Sequence, residues 1–179
     1  MFTTNFINLT KLFALAEGAS SGYSCVDCNG ISFNASLSYM SYGFLSYMDY
    51  GRCRTQPSDY VSGATSSYAG VYFGTGTTPP TRADFNLEGL LTSGLSVSSG
   101  NRLYVADGSN YAYRCTYTLT NTTESDITIR EIGLFAPVFA ASAKCYTTLM
   151  ERTVLDEPIT IAPGETRLVT YKITFHHTQ

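Results

Sequence analysis

Polar and apolar residues alternate in the last strand-like run of the chain. Val169, Tyr171, Ile173 and Phe175 fall on one side, with Thr170, Lys172 and Thr174 between them. A period of two gives one apolar and one polar face, as in a half-buried antiparallel strand. Pro163-Gly164 supplies a tight turn before it, and Glu157–Ile161 ahead of the turn predicts a short partner strand. The same alternation runs from Tyr111 to Thr120. Tyr111, Tyr113, Cys115, Tyr117 and Leu119 line one face, and Ala112, Arg114, Thr116, Thr118 and Thr120 the other. Asn121–Asp126 reads as the turn that follows. Ile127 and Ile129 continue the pattern, but the next apolar positions are Ile132 and Leu134. The phase slips at Arg130-Glu131, so a β-bulge or a strand end is expected there.

Further strands are predicted over Ala69–Phe73, Gly89–Val97, Asn101–Ala106 and Lys144–Leu155. Gly74–Thr81 is a loop by its Gly and Pro content. Thr81, with Asp84 three residues later, predicts one capped helical turn through Leu87. Asp107-Gly108 is a turn dipeptide. About seven or eight short strands between residues 69 and 175 is the spacing of an all-β, antiparallel β-sandwich, Ig-like or jelly-roll-like.

Residues 1–68 read differently and divide the chain into an N-terminal arm (1–68) and a β-sandwich domain (69–179). Phe6, Leu9, Phe13 and Ala16 recur at helical spacing, with Asn5 placed to cap the start and Gly18 to end the helix. That amphipathic helix either docks on a neighbour or folds onto its own domain. Residues 21–68 are rich in Gly, Ser and Tyr, and Ser38-Tyr-Met40 recurs as Ser46-Tyr-Met48. Loops and short strands are expected there, or an extended arm ordered by its partners. Tyrosine covers a large area at low entropic cost and keeps a polar tip, which suits interfaces. The candidate partner-binding residues are therefore Phe6, Leu9, Phe13, Tyr39, Tyr42, Tyr47 and Tyr50.

Composition narrows the function. The 179 residues are 44% hydrophobic and suit one domain, or one domain with an appended arm. Charged residues make up 14%, against about 25% in an average globular chain. Ser, Thr, Gly and Tyr fill the difference. Such a surface suits packing against neighbours better than it suits a free cytosolic enzyme. The net charge is −3 and Lys/Arg do not cluster, so no nucleic-acid partner is expected. No apolar run reaches the ~20 residues of a membrane span, and no secretory leader is read at the N-terminus. Five cysteines cannot all pair within the chain, and buried thiols made in a reducing cytosol are expected.

Candidate chemistry is sparse. Cys25-Val-Asp-Cys28 is the only CxxC, and the only histidines, His176 and His177, stand at the far end of the chain. A zinc site needs four ligands, so no metal or cofactor is expected. The Gly74-Thr-Gly-Thr-Thr loop lacks the GK[ST] ending of a phosphate-binding loop and reads as structural. No GxSxG elbow occurs. Asp84, Glu88 and Glu131 offer carboxylates of the kind a glycosidase pairs, without a pattern that assigns them that work. Sequons at Asn8, Asn34 and Asn121 read as chance matches.

One ordered set of segments carries a resemblance. Phe73-Gly-Thr-Gly-Thr-Thr-Pro-Pro-Thr81 is followed by Asp84, Leu87-Glu88 and Glu131-Ile-Gly-Leu-Phe135. Then come Leu149-Met-Glu-Arg-Thr-Val154, Ile159–Thr166 and Val169–Phe175. Over about the last 105 residues this resembles a group of small structural proteins of tailed bacteriophages. The resemblance implies a β-sandwich virion component with no catalytic residues, made in the bacterial host cytoplasm. It implies a capsid decoration or cement protein on the major capsid protein. The alternatives are a neck, tail or fibre-attachment protein, or a receptor- or carbohydrate-binding module on the particle. Homo-oligomers are expected, since virion parts follow the particle's symmetry.

Overall fold

The computed structural model describes residues 1–8, 23–35, 51–52, 70–107, 110–140 and 145–175. The fold is all-β. Its strands are β1 (Tyr23–Val26), β2 (Ser32–Ala35), β3 (Gly51–Arg52), β4 (Gly70–Gly74), β5 (Leu95–Asp107), β6 (Asn110–Asn121), β7 (Ile127–Phe139), β8 (Cys145–Ile161) and β9 (Thr166–Phe175). They form a β1-β2 hairpin, a four-stranded sheet ordered β3-β4-β7-β8 and a three-stranded sheet ordered β5-β6-β9. All pairings are antiparallel except β3 with β4.

The alternating strands lie as their pattern requires. Tyr113 stands opposite Ile173, Cys115 opposite Tyr171 and Tyr117 opposite Val169, and all six are buried. Thr118, Thr120, Thr166, Thr170 and Lys172 stay on the outer face, where Thr120 and Thr166 share a hydrogen bond of 2.9 Å. From the other sheet, Val71, Phe73, Ile132, Leu134 and Met150 enter the same core, and the Phe73 and Tyr117 rings meet edge to face at 6.0 Å. The two sheets therefore share one apolar core.

β4 does not alternate: all five of its residues are buried. Val71 and Phe73 join the shared core, whereas Tyr72 joins a second cluster with Cys28, Leu87, Phe135 and Leu149. This sheet is thus covered on both faces, and a strand buried on both faces reads as a continuous apolar run. The second cover is the segment from Thr75 to Leu91, tied down at its ends by Thr75 N–H to Gly89 O (2.8 Å) and Leu91 N–H to Phe73 O (2.9 Å).

The slip at Arg130-Glu131 is a bulge. Ile129 pairs with Ile159 but Glu131 pairs with Val154, so Leu155–Pro158 of β8 bulges there opposite a single residue of β7. The separate runs Lys144–Leu155 and Glu157–Ile161 predicted from sequence are one strand carrying this irregularity. Likewise Gly89–Val97 and Asn101–Ala106 are not two strands. β5 is continuous from Leu95 with a register shift between Ser99 and Arg102, and Leu90 makes only an isolated bridge to Gly74. A second shift at Leu134/Phe135 turns Met150 and Glu151 of β8 both toward the other sheet. The turn at Pro163-Gly164 forms as expected, with Gly164 at φ +71° and Glu165 N–H on Ala162 O (2.9 Å).

Segments assigned by sequence to the arm are built into this core. Cys25, Phe33 and Ala35 are core residues, and Phe33 stacks on Tyr146 with centroids 4.2 Å apart. Residues 4–8 are helical, but Asn5 is not the cap. Its side chain is buried and bridges backbones instead: Nδ2 donates to Val26 O (2.8 Å) and Leu149 O (3.2 Å), and Oδ1 accepts Val26 N–H (2.8 Å). Ahead of the helix, Thr3 N–H bonds Met150 O and Arg152 N–H bonds Met1 O, laying the first residues along the edge of β8. Thr3 hydroxyl donates to Leu149 O (2.7 Å), and the Met1 amino group reaches Glu151 Oε1 (2.7 Å). The expected extent through Leu9, Phe13 and Gly18 lies outside the described residues.

Candidate functional site

The motif residues converge where the Thr75–Leu91 cover meets β7 and β8. Glu131 is 0% exposed, and its bulge places it on the covered face of the sheet. Oε1 accepts the amides of Gly76 (3.0 Å) and Gly89 (2.7 Å), while Oε2 accepts the amide of Glu88 (3.2 Å) and Arg152 Nε (2.8 Å). A buried carboxylate persists only with such partners. One side chain thus pins both ends of the loop.

The glycines follow from that contact. A Cβ on Gly74 or Gly76 would stand 2.5 or 2.6 Å from Glu131 Oε1, so both positions must lack one. Gly133 leaves the space that Leu87 Cδ2 fills. Phe135, two residues on, meets Tyr72 edge to face at 5.1 Å.

Arg152 extends the clamp. Only 3% exposed, it gives Nη1 to Asp84 Oδ2 (2.8 Å) and faces Glu88 Oε2 with Nη2 at 3.6 Å. Asp84 closes a turn at residues 82–83, accepting the Thr81 amide (3.0 Å) and hydroxyl (2.7 Å), but the helical turn expected to continue through Leu87 does not form. Burial pushes the Asp84 carboxyl up, but the Thr81 bonds and Arg152 outweigh it and hold it below the usual carboxylate value. The Thr78 hydroxyl and the Thr78 and Thr77 amides hold Glu88 below its usual value, with Arg152 adding to them. Burial works against the Arg152 guanidinium, but Asp84 and Glu131 hold its charge and raise its pKa.

On the opposite face of β8, Glu151 accepts the Tyr171 hydroxyl across the sheets and the Thr153 hydroxyl beside it. Burial, and then the Glu151 charge, raise the Tyr171 phenol well above its ordinary value. Cys25, Cys28 and Cys115 carry thiols, and burial pushes Cys25 up to about 11. Among the described residues, no three His, Cys, Asp or Glu side chains are placed to share a metal ion, and no helix is long and apolar enough to cross a membrane. Asn121 is fully buried, with Nδ2 on Ser125 O and Ile161 O, so its sequon is spent on the fold.

Of the residues read from sequence as partner-binding, Phe6 is partly buried against the core and stacks on Phe2 at 4.1 Å. Leu9, Phe13, Tyr39, Tyr42, Tyr47 and Tyr50 lie outside the described residues. The structure does bring Asp84, Glu88 and Glu131 together, around an arginine that sequence reasoning did not single out. The signal for it is the pair of charged dipeptides Arg130-Glu131 and Glu151-Arg152, each set beside apolar residues of its strand. Searches against protein-family models, curated proteins and solved structures find no match to the chain.

Proposed function

We propose that the protein is a non-enzymatic structural component of a tailed-bacteriophage particle, built on a β-sandwich of Ig-like or jelly-roll-like type. On this reading it is a homo-oligomeric capsid decoration or cement protein bound to the major capsid protein. The observation that carries it is the convergence of the resembling segments on one clamp. Gly74 and Gly76, Asp84, Leu87-Glu88, Glu131 and Gly133, and Arg152 are separate stretches of sequence, yet they fix a single loop to a single sheet. An ordered motif set of that kind is what a shared scaffold requires. Catalytic work asks for groups left available, whereas the oxygens of Glu131 are taken up by amides and Arg152. The outer face of β6 and β9, rich in Thr and with Leu168 72% exposed, offers a weakly charged surface for packing on neighbours.

Add-back tests this reading. Particles grown without the protein are mixed with the purified chain and sedimented. Co-sedimentation with heads is expected, and co-sedimentation with isolated tails would move the assignment to a neck, tail or fibre part. Hydrolysis of a polysaccharide by the purified chain, lost in Glu131→Gln, would overturn the non-enzymatic reading.

A further inference from the structure

The loop that Glu131 pins also presents donors outward. The amides of Thr77 and Thr78 both point at Glu88 Oε2 (2.9 Å each), and the Thr78 hydroxyl donates to Oε1 (2.7 Å). Consecutive amides converging on one anion form a nest, the device by which backbone binds carboxylate and phosphate. Here the anion is the chain's own. The Glu88 side chain is 47% exposed and sits at the rim of an open concavity of about 470 Å³ whose wall includes Phe85, Asn86 and Leu87. The guanidinium of Arg152 is buried behind it, and Nη2, facing Glu88, makes no hydrogen bond. A donor is thus left over in a site whose resident ligand is a half-exposed side chain.

We propose that Thr77, Thr78 and Arg152 form a carboxylate-binding site, filled by Glu88 in the isolated protein and taken over by a carboxylate of a partner protein. The proposal stands independently of the virion reading. The local charges select the ligand. Asp84 and Glu131 already pair with Arg152, so a monoanion replaces Glu88 like for like, whereas a dianion such as phosphate meets two further carboxylates. The exposed Phe85 ring beside the site gives the rest of an acidic segment an apolar contact.

The test is an acetate titration of the full chain, followed by the amide NMR signals of Thr77 and Thr78. Inorganic phosphate and sodium chloride at matched ionic strength serve as comparisons. The Glu88 carboxylate is half-exposed, hydrogen-bonds only to Thr77 and Thr78, and leaves Arg152 paired with Asp84 and Glu131 when removed, so Glu88→Ala is expected to stay folded. Wild type should show weak, saturable shifts at these two amides. Glu88→Ala should bind acetate at least about tenfold more tightly, because an internal competitor of high effective concentration is gone. Adding Thr78→Val to Glu88→Ala should abolish the response. Shifts no larger than those from chloride, or tighter binding of phosphate than acetate, would overturn the carboxylate assignment. Binding by Glu88→Ala with none by wild type would overturn the exchange.

Discussion

Glu131 shows how much of this fold turns on one side chain. With no exposed surface and four donors on its carboxylate, it joins residues 76, 88, 89 and 152. Glu131→Gln keeps the shape but sets an amide group against backbone donors and leaves Arg152 short of a buried charge partner. Loss of one partner of such a pair costs about 3–5 kcal/mol, and urea unfolding of the variant should show a drop of that size. Gly76→Ala attacks the same contact from the loop, since its Cβ meets both Glu131 Oε1 and Glu88 Cβ at 2.6 Å. Overpacking there should lower stability by about 1–3 kcal/mol in the same assay. Sequence reading reached Glu131 as the place where a strand pattern slips and as one of three carboxylates with no assigned work. Periodicity assigns an acidic residue to solvent by default, and nothing local reveals that donors from residues 76–89 will surround it. The glycines were legible as a loop, but their reason, the approach of a carboxylate from β7, is a long-range fact.

At the scale of the elements, the strands were the most legible part. Alternation in Tyr111–Thr120 and Val169–Phe175 gave β6 and β9 their faces, and the slip at Arg130 gave a real bulge. Length was less legible. The pattern splits into the runs Lys144–Leu155 and Glu157–Ile161, yet β8 joins them through a bulge and continues. The N-terminal segment was the least legible, because Asn5 matches a helix cap in sequence but acts as a bracket between β1 and β8. Asn5→Ala strands the Val26 N–H and C=O, while Leu149 O keeps the Thr3 hydroxyl, and should cost about 1–3 kcal/mol. Hydrogen exchange reads this directly: the Val26 amide should exchange much faster in the variant, while the β6 amides opposite β9 change only as far as global stability falls. Unchanged protection at Val26 would remove Asn5 from this role.

For the whole molecule, Asp84 and Glu88 contribute to the acid limb of stability. Asp84 and Glu88 have folded pKa values below their unfolded ones. In the window between, the unfolded chain binds more protons, so stability rises with pH there. Their contribution is complete above the ordinary carboxylate range of about 4 and is lost as pH falls through the lowered folded values. Asp84→Asn should therefore flatten the acid limb of stability against pH between neutrality and strong acid. An unchanged limb would contradict the assigned partners. Tyr171 acts in the opposite sense. Its folded pKa is raised, so its contribution holds below the ordinary phenol value and falls as pH climbs above it, an alkaline loss that Tyr171→Phe should remove.

The function proposed for this fold is a place on a particle, and copy number locates it. Quantitative mass spectrometry of purified virions gives the number of chains relative to the major capsid protein. A number comparable to that of the major capsid protein is expected, as a decoration or cement subunit requires. A small multiple of the tail's symmetry would contradict the capsid assignment, and absence of the protein from the particle would contradict the virion reading altogether.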